Sequence, residues 1–375
     1  MVKDLCFEVI EKCLNNCKFC SSNSDCNKSR IISFDDFKRV IDYFMKNGGI
    51  EELSISGGEP FLHPDLVNMV SYAKSLGIRT VIFTSGVVYN EGLSDEEIEY
   101  YKNEMNERLN EVYEHESDNL FLINCIKRYY NNLLTPRKYS PITKDLLYKL
   151  KNIGLDKIVF DYQGYEEETD CFLMGRTNSA RVSLLDSLLN AACVCMNVDV
   201  HFVPMKVNYK EIPDILEMLE IAKIDNISIL NFLPQGRGYQ NKEILELSSD
   251  EKKEFFKILD ECRNNYSGNI RIGIPLQGDT THKCNAGLEK LDIKFDGSVL
   301  PCPAFKEITP DECKKFNIKV PNIYDNLEII NIPGTALELD HFVKNIMTIK
   351  EKNNIYFLAI YVIIKNNFRG GLYGK

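Results

Sequence analysis

Three cysteines, Cys13, Cys17 and Cys20, stand within EKCLNNCKFCSSN (residues 11–23), with three and then two residues between them. Thiols placed that densely on one stretch bind metal, and two chemistries compete for them. Structural zinc is closed by four ligands, usually in separated pairs. Here only Cys26 follows nearby, and the first histidine is His63. A thiolate-held iron–sulfur cluster suits a compact trio in one loop better. If three irons of a four-iron cluster take the three thiolates, the fourth is left without a protein ligand and offers a place for a small molecule to bind.

Such a loop needs a scaffold. Residues 5–10 (LCFEVI) read as a strand running into it. SFDDFKRVIDYFMKNGG follows with Phe37, Val40, Ile41, Phe44 and Met45 at helical spacing, opened by Ser33 with Asp36 and closed by Gly48 and Gly49. Residues 50–56 form a second strand ending at GGEP, Pro64 opens a second helix, and residues 78–83 form a third strand. Residues 90–139 break the rhythm with two helical patterns and no strand between them, which marks an insertion. Alternation resumes with helix 143–152, strand 156–161, helix 180–195, strand 197–203, helix 210–223 and strand 227–232. This predicts βαβ units around a parallel sheet. In a parallel barrel, chemistry sits at the C-terminal strand ends. The cysteine loop, GGEP, TSG (84–86), DYQG (161–164) and PQGRG (234–238) all follow such ends. After a helix at 248–265, LDIKFDGSVLP alternates around Asp296-Gly297, a hairpin signal flanked by Cys284 and Cys302, and a small second domain is expected from about residue 275.

Bulk properties exclude several classes. The 375 residues are 44% hydrophobic and 27% charged, which is ordinary for a globular protein and unlike a disordered chain. A net charge of −10 argues against a nucleic-acid footprint. No secretory signal opens the chain, and the run Ile355–Ile364 is about half of the roughly 20 residues needed to span a bilayer. A cytoplasmic protein without a membrane role is therefore expected. Thiols stay reduced there, so Cys125, Cys171, Cys193, Cys195 and Cys262 read as small buried hydrophobes. The five histidines are scattered and read as structural or solvated.

The cysteine trio with Phe19 before its last member, followed by GGEP at the end of the second strand, resembles the radical S-adenosylmethionine (SAM) superfamily over roughly residues 5–235. The resemblance implies an α/β fold: a partial (βα)6 barrel over residues 1–240 with a helical insertion at about 90–139. It implies a 4Fe–4S cluster on Cys13, Cys17 and Cys20, with SAM chelating the open iron. One-electron cleavage of SAM would give a 5′-deoxyadenosyl radical that abstracts a substrate hydrogen. Gly57, Gly58, Glu59 and Pro60 would meet the methionine amine, and Phe19 the adenine. Ser85 and Asp161 match positions reaching the ribose or carboxylate, and Arg176 resembles an arginine contacting the carboxylate. No acid–base catalytic residue is nominated. The electron would come from a donor such as flavodoxin or ferredoxin.

Cys284, Gly297 and Cys302 further resemble the start of a SPASM or twitch domain, a small α+β module over residues 275–375. The resemblance makes Cys284 and Cys302 candidates for an auxiliary cluster. The module's later cysteines would fall on Ala359, Val362, Phe368 and Leu372, and no cysteine follows Cys313, so the domain reads as degenerate. The expected substrate is a peptide side chain. Strand one begins at the start of the chain, so a leader-peptide-binding partner would be separate. The alternatives are the same chemistry on a small metabolite or cofactor precursor, and a non-catalytic cluster-binding or redox-sensing protein.

Overall fold

The computed structural model describes residues 2–90, 92, 94–115, 119–134, 138–273, 276, 286–287, 289–306, 320–325 and 327. The first half of the chain runs β1 (Val2–Ile10), α1 (Phe34–Lys46), β2 (Ile50–Gly57), α2 (Leu66–Ser75), β3 (Arg79–Thr84), β4 (Val88–Tyr89), α3 (Asp95–His115), α4 (Leu120–Leu134), β5 (Tyr139–Ser140), α5 (Lys144–Ile153) and β6 (Lys157–Asp161). The second half runs α6 (Glu167–Met174), α7 (Asn178–Cys193), β7 (Val198–Phe202), α8 (Ile212–Ile221), β8 (Asn226–Ile229), α9 (Arg237–Gln240), α10 (Lys242–Leu245), α11 (Ser249–Cys262), β9 (Asn269–Ile272), β10 (Lys290–Ile293) and β11 (Val299–Leu300).

Nine strands form one sheet in the order β11-β10-β1-β2-β3-β6-β7-β8-β9. Every pairing is parallel except β10 with β11. The six strands expected from the hydrophobic pattern are therefore consecutive neighbours from β1 to β8. Residues Tyr89–Ser140 form a compact unit of their own, in which α3 and α4 pack through Leu109, Val112 and Ile123.

Alternation along β1 explains how the sheet divides its faces. Leu5, Phe7 and Val9 are fully buried, and the Phe7 ring lies 5.3 Å from that of Phe37 on α1. Asp4, Cys6 and Glu8 occupy the opposite face. Helix α1 begins where Ser33 accepts a hydrogen bond from the Asp36 amide, a cap that contributes about 1 kcal/mol. It buries Phe37, Val40, Ile41 and Phe44, each stabilising by about 1.5–3 kcal/mol.

Three features differ from the sequence expectation. The Asp296-Gly297 turn does close a hairpin, with Gly297 at φ +83°, but β10 then pairs parallel with β1 and so extends the main sheet. Helix α6 and strand β9 were not anticipated. Cys125, Cys193 and Cys195 are exposed and Cys171 and Cys262 half-buried, so these five thiols are not core hydrophobes. Cys284, Cys313 and positions 359–372 lie outside the described residues. Among the described residues no helix is long and apolar enough to cross a membrane.

Candidate functional site

The cysteine loop leaves β1 at Ile10 and is held by three other segments. From the end of β2, the Gly58 amide donates to Ile10 O at 2.6 Å and the Glu59 amide to Lys12 O at 2.8 Å. From the end of α6, Met174 O accepts from the Asn16 amide at 3.1 Å and Leu173 O from the Lys18 amide at 2.8 Å. From PQGRG after β8, the Arg237 amide donates to Cys20 O at 3.0 Å. The Arg237 guanidinium donates from Nε to Cys17 O at 2.8 Å and from Nη2 to Ser24 O at 2.6 Å. These partners use backbone carbonyls and amides of the loop; of its thiols, Cys17 Sγ makes a weak contact with Met174 Sδ at 3.9 Å.

The glycines of GGEP are required by that crossing. A Cβ on Gly57 would lie 2.4 Å from Ile10 O, and one on Gly58 would lie 2.2 Å from Lys12 O. The sequence pattern assigns their close approach to a ligand; the structure shows a close approach to the cysteine loop itself.

One cavity collects most of the residues singled out by sequence. Cys13, Cys17, Cys20 and Phe19 line it from the loop, Gly57 and Gly58 from β2, Ser85 after β3, and Asp161 at the end of β6. Glu59, Pro60 and Arg176 are not among its lining residues. The Glu59 carboxylate is fully buried and accepts from Thr84 Oγ1 at 2.7 Å, Ser85 N at 2.8 Å, Ser85 Oγ at 2.5 Å and Phe61 N at 3.1 Å. It therefore positions Ser85. Pro60 opens a short 3-10 turn. Arg176 is clamped by Asp170 through Nε and Nη2 at 2.8 and 2.7 Å, with both side chains buried. Its Nη1 has no hydrogen-bond partner among the described residues.

The electrostatics of the cavity call for a cationic or strongly polar occupant. Burial pushes the Cys13 thiol up, with Glu59 adding to the effect. Burial also raises Cys17, and the neighbouring Cys13 and Cys20 add repulsion. Asp161 is pushed up to about 7 by burial and by the Glu59 carboxylate. A bound cation reverses this and favours the thiolates. Among the described residues, Asn15, 1% exposed, has neither side-chain amide atom bonded, and the Ser24 hydroxyl is equally unpartnered, although both line the cavity. Buried polar groups of that kind normally find partners. Among the described residues no three His, Cys, Asp or Glu side chains converge as one metal ion would need. A cluster presents separate irons to separate thiolates, so the trio suits it.

Residues 7–113 match the radical SAM superfamily. That stretch, which holds the cysteine trio and GGEP, is similar to the radical SAM superfamily. PqqA peptide cyclase of Bradyrhizobium diazoefficiens is 22% identical over 332 residues, covering 86% of this chain and 73% of that protein. Probable GTP 3′,8-cyclase of Saccharolobus islandicus is 25% identical over 244 residues, covering 63% of this chain and 59% of that protein. Among solved structures, Streptococcus suis SuiB bound to S-adenosylmethionine aligns with a TM-score of 0.55 at 17% identity over 88% of this chain. This chain spans 65% of the SuiB chain. The fold shared with SuiB accounts for the parallel sheet and for the placement of the cysteine loop at its strand ends. Sequence reading missed Arg237, Asn15, Ser24 and Lys306 at the cavity. PQGRG stands out as a strand-end segment, and its arginine was the available signal.

Proposed function

We propose that the chain is a radical SAM enzyme of the peptide-modifying type, with Cys13, Cys17 and Cys20 holding a 4Fe–4S cluster. The observation that carries this is the convergence of the three cysteines with Gly57, Gly58, Ser85 and Asp161 on one cavity. When bound, the cluster and SAM supply one-electron cleavage of the sulfonium and a carbon radical that takes a hydrogen atom from the substrate.

The chain's own part is to bind, orient and shield. The backbone of Gly57 and Gly58 forms one wall and Phe19 offers a face for an adenine ring. Ser85, fixed by Glu59, and Asp161 offer polar contacts at the strand ends. Arg176 keeps one free nitrogen, Nη1, for a carboxylate, although Asp170 holds the rest. A flavodoxin or ferredoxin would deliver the electron, in the cytoplasm. A peptide substrate is favoured by the PqqA peptide cyclase match and by SuiB, whose structure has also been seen with its precursor peptide SuiA. The GTP 3′,8-cyclase match favours a second reading, the same chemistry on a small metabolite. Cys302, half-buried after β11, is retained as an auxiliary-cluster candidate with Cys284.

The test is iron and sulfide content of anaerobically reconstituted protein, with 5′-deoxyadenosine measured after addition of SAM and dithionite. About four irons per chain with deoxyadenosine supports the reading, and about eight adds the auxiliary cluster. Folded protein with neither iron nor deoxyadenosine refutes it.

A further inference from the structure

A second cavity, of about 550 Å³, lies against the polar face of the sheet. Alternate strand residues line it, including Cys6 of β1, Ser54 of β2, Val159 of β6 and His201 of β7. It adjoins the cysteine cavity, because Ser56, Phe83 and Lys306 line both.

The charges around this chamber are nearly all matched. Arg79 pairs with Glu52, Lys290 with Asp4 at 2.5 Å, Lys157 with Asp199 at 3.4 Å, and Lys306 with Glu8 at 2.6 Å. Two groups remain. Arg271 donates from Nε to Ser228 Oγ at 3.1 Å and is otherwise exposed, so water can serve it. Asp292 has no such outlet. It is 0% exposed, and neither carboxylate oxygen accepts from a nitrogen or oxygen donor among the described residues; the donor that faces it is the Cys6 thiol. Oε2 of Glu8, also fully buried, has no hydrogen-bond partner among the described residues.

Register puts Asp292 on the face of the sheet that the chamber covers. It is paired with Cys6 across the parallel β1–β10 ladder and stands two residues after Lys290, and both of those residues line the cavity. The groups facing it are Cys6 and Glu8 from β1, Lys306 from the segment after β11, and Lys294 beyond its own strand. The Cys6 thiol is a weak donor, and the Lys306 ammonium is committed to Glu8. Burial outweighs the opposing pull of Lys306, Glu8 adds repulsion, and the Asp292 carboxyl is pushed up to about 7. With both acids ionised, two negative charges share one positive charge. A buried carboxylate without partners is costly, and a cationic hydrogen-bond donor relieves both the charge and the unmet acceptors.

We propose that this cavity is the substrate chamber and that it selects a cationic side chain, an ammonium or guanidinium, which Asp292 and the free oxygen of Glu8 receive. This rests on the radical SAM enzyme reading given above. Neither Asp292 nor Glu8 is among the cavity's lining residues, so binding includes side-chain rotations that bring their oxygens to it. The shared wall at Ser56, Phe83 and Lys306 then sets the carbon chain of that residue beside the cysteine cavity.

The experiment titrates N-acetyl-lysine methylamide and N-acetyl-norleucine methylamide into the anaerobically reconstituted full chain, followed by ligand-observed NMR. The two probes share their shape and differ in the ammonium. The lysine probe should bind at least about tenfold more tightly, the effect of one charged hydrogen bond. Asp292→Asn should lose that preference and Asp292→Glu should retain it. Equal affinities in the unsubstituted protein, binding of neither probe, or a preference that survives Asp292→Asn would overturn the proposal. The unsubstituted comparison needs no variant to fold. Deoxyadenosine from SAM and dithionite, measured on the same preparation, separates the two readings. Its presence without a lysine preference sinks the selectivity alone, and its absence sinks the enzyme reading whatever the probes do.

Discussion

Gly58→Ala places a methyl group at the crossing between β2 and the cysteine loop, and its cost can be worked from the local geometry. The new Cβ would lie 2.2 Å from Lys12 O and 2.5 Å from Glu11 O. Both are backbone atoms of a loop that is held from two other directions, so neither can swing aside as a flexible side chain would. Separation must stretch or break the Gly58 amide bond to Ile10 O at 2.6 Å and the Glu59 amide bond to Lys12 O at 2.8 Å. Two such bonds contribute about 1 kcal/mol each, and overpacking adds about 1–3 kcal/mol. The sum, about 3–5 kcal/mol, is a large part of the roughly 5–15 kcal/mol that holds a folded protein together. Gly77→Ala is the matched control. Gly77 has φ +75°, and a Cβ added there would meet nothing within 4 Å, so its cost is the left-handed backbone alone, about 1–2 kcal/mol. Urea unfolding of the metal-free parent and both variants measures the difference. If Gly58→Ala costs no more than Gly77→Ala, the crossing does not constrain the loop and the argument fails.

Replacing Cys13, Cys17 and Cys20 together by Ala should remove the bound iron and all deoxyadenosine formation, read by iron analysis and chromatography, while far-ultraviolet circular dichroism stays unchanged. Arg237→Gln should lower the iron retained per chain and broaden the EPR spectrum of the reduced protein, because Cys17 O and Ser24 O lose a forked donor; Arg237→Lys should rescue it only in part, since an ammonium lacks the planar fork. Asp292 titrates at about 7 in the folded protein and near 4 unfolded, so its neutral form favours folding below about pH 4 and that contribution is lost as pH rises through 7. Unfolding free energies of metal-free protein at pH 5 and pH 8 should therefore differ less in Asp292→Asn than in the parent, and an unchanged difference would contradict the burial of that carboxyl.

The strands from β1 to β8 were legible because each is a short apolar run closed by turn residues and followed by an amphipathic helix. Helix α6 was hidden for a physical reason. Its EETDCFLM stretch begins with acids that suit a helix N-terminus but buries few residues, so its apolar face carries little periodicity. Strand β9 is exposed at alternate positions, Asn269 and Arg271, and reads as polar loop. The hairpin at Asp296-Gly297 was visible, but nothing local says that β10 will pair with β1, because parallel pairing between distant segments leaves no local sequence signature. At the site, Cys13, Cys17 and Cys20 were legible from spacing. Glu59 was found as part of a motif, yet its three hydrogen bonds from the Thr84-Ser85 turn appear only in three dimensions. Asp292 could have been suspected, since it is a charged residue between the two apolar residues of strand KLDI.

The bracing of the cysteine loop bears on how a cofactor would be received. A loop of about twenty residues that ordered only on binding would spend much of the binding energy on its own conformational entropy, at about 1–2 kcal/mol per residue fixed. Here the carbonyls of Ile10, Lys12, Cys17, Cys20 and Ser24 and the amides of Asn16 and Lys18 already have partners from three separate strand or helix ends. Each partner segment is tied in turn. Glu59 joins GGEP to the end of β3, Asp170 joins α6 to Arg176, and Gln235 Nε2 reaches Ala304 O at 2.8 Å, two residues before Lys306. The last tie connects the bracing of the thiols to the wall of the chamber, because Lys306 holds Glu8, and Glu8 accepts from Ser22 of the cysteine loop at 2.6 Å. If the proposed cation drew Glu8 toward the chamber, it would pull on both Lys306 and the loop, and substrate occupancy would be joined to the geometry of the thiols through one carboxylate.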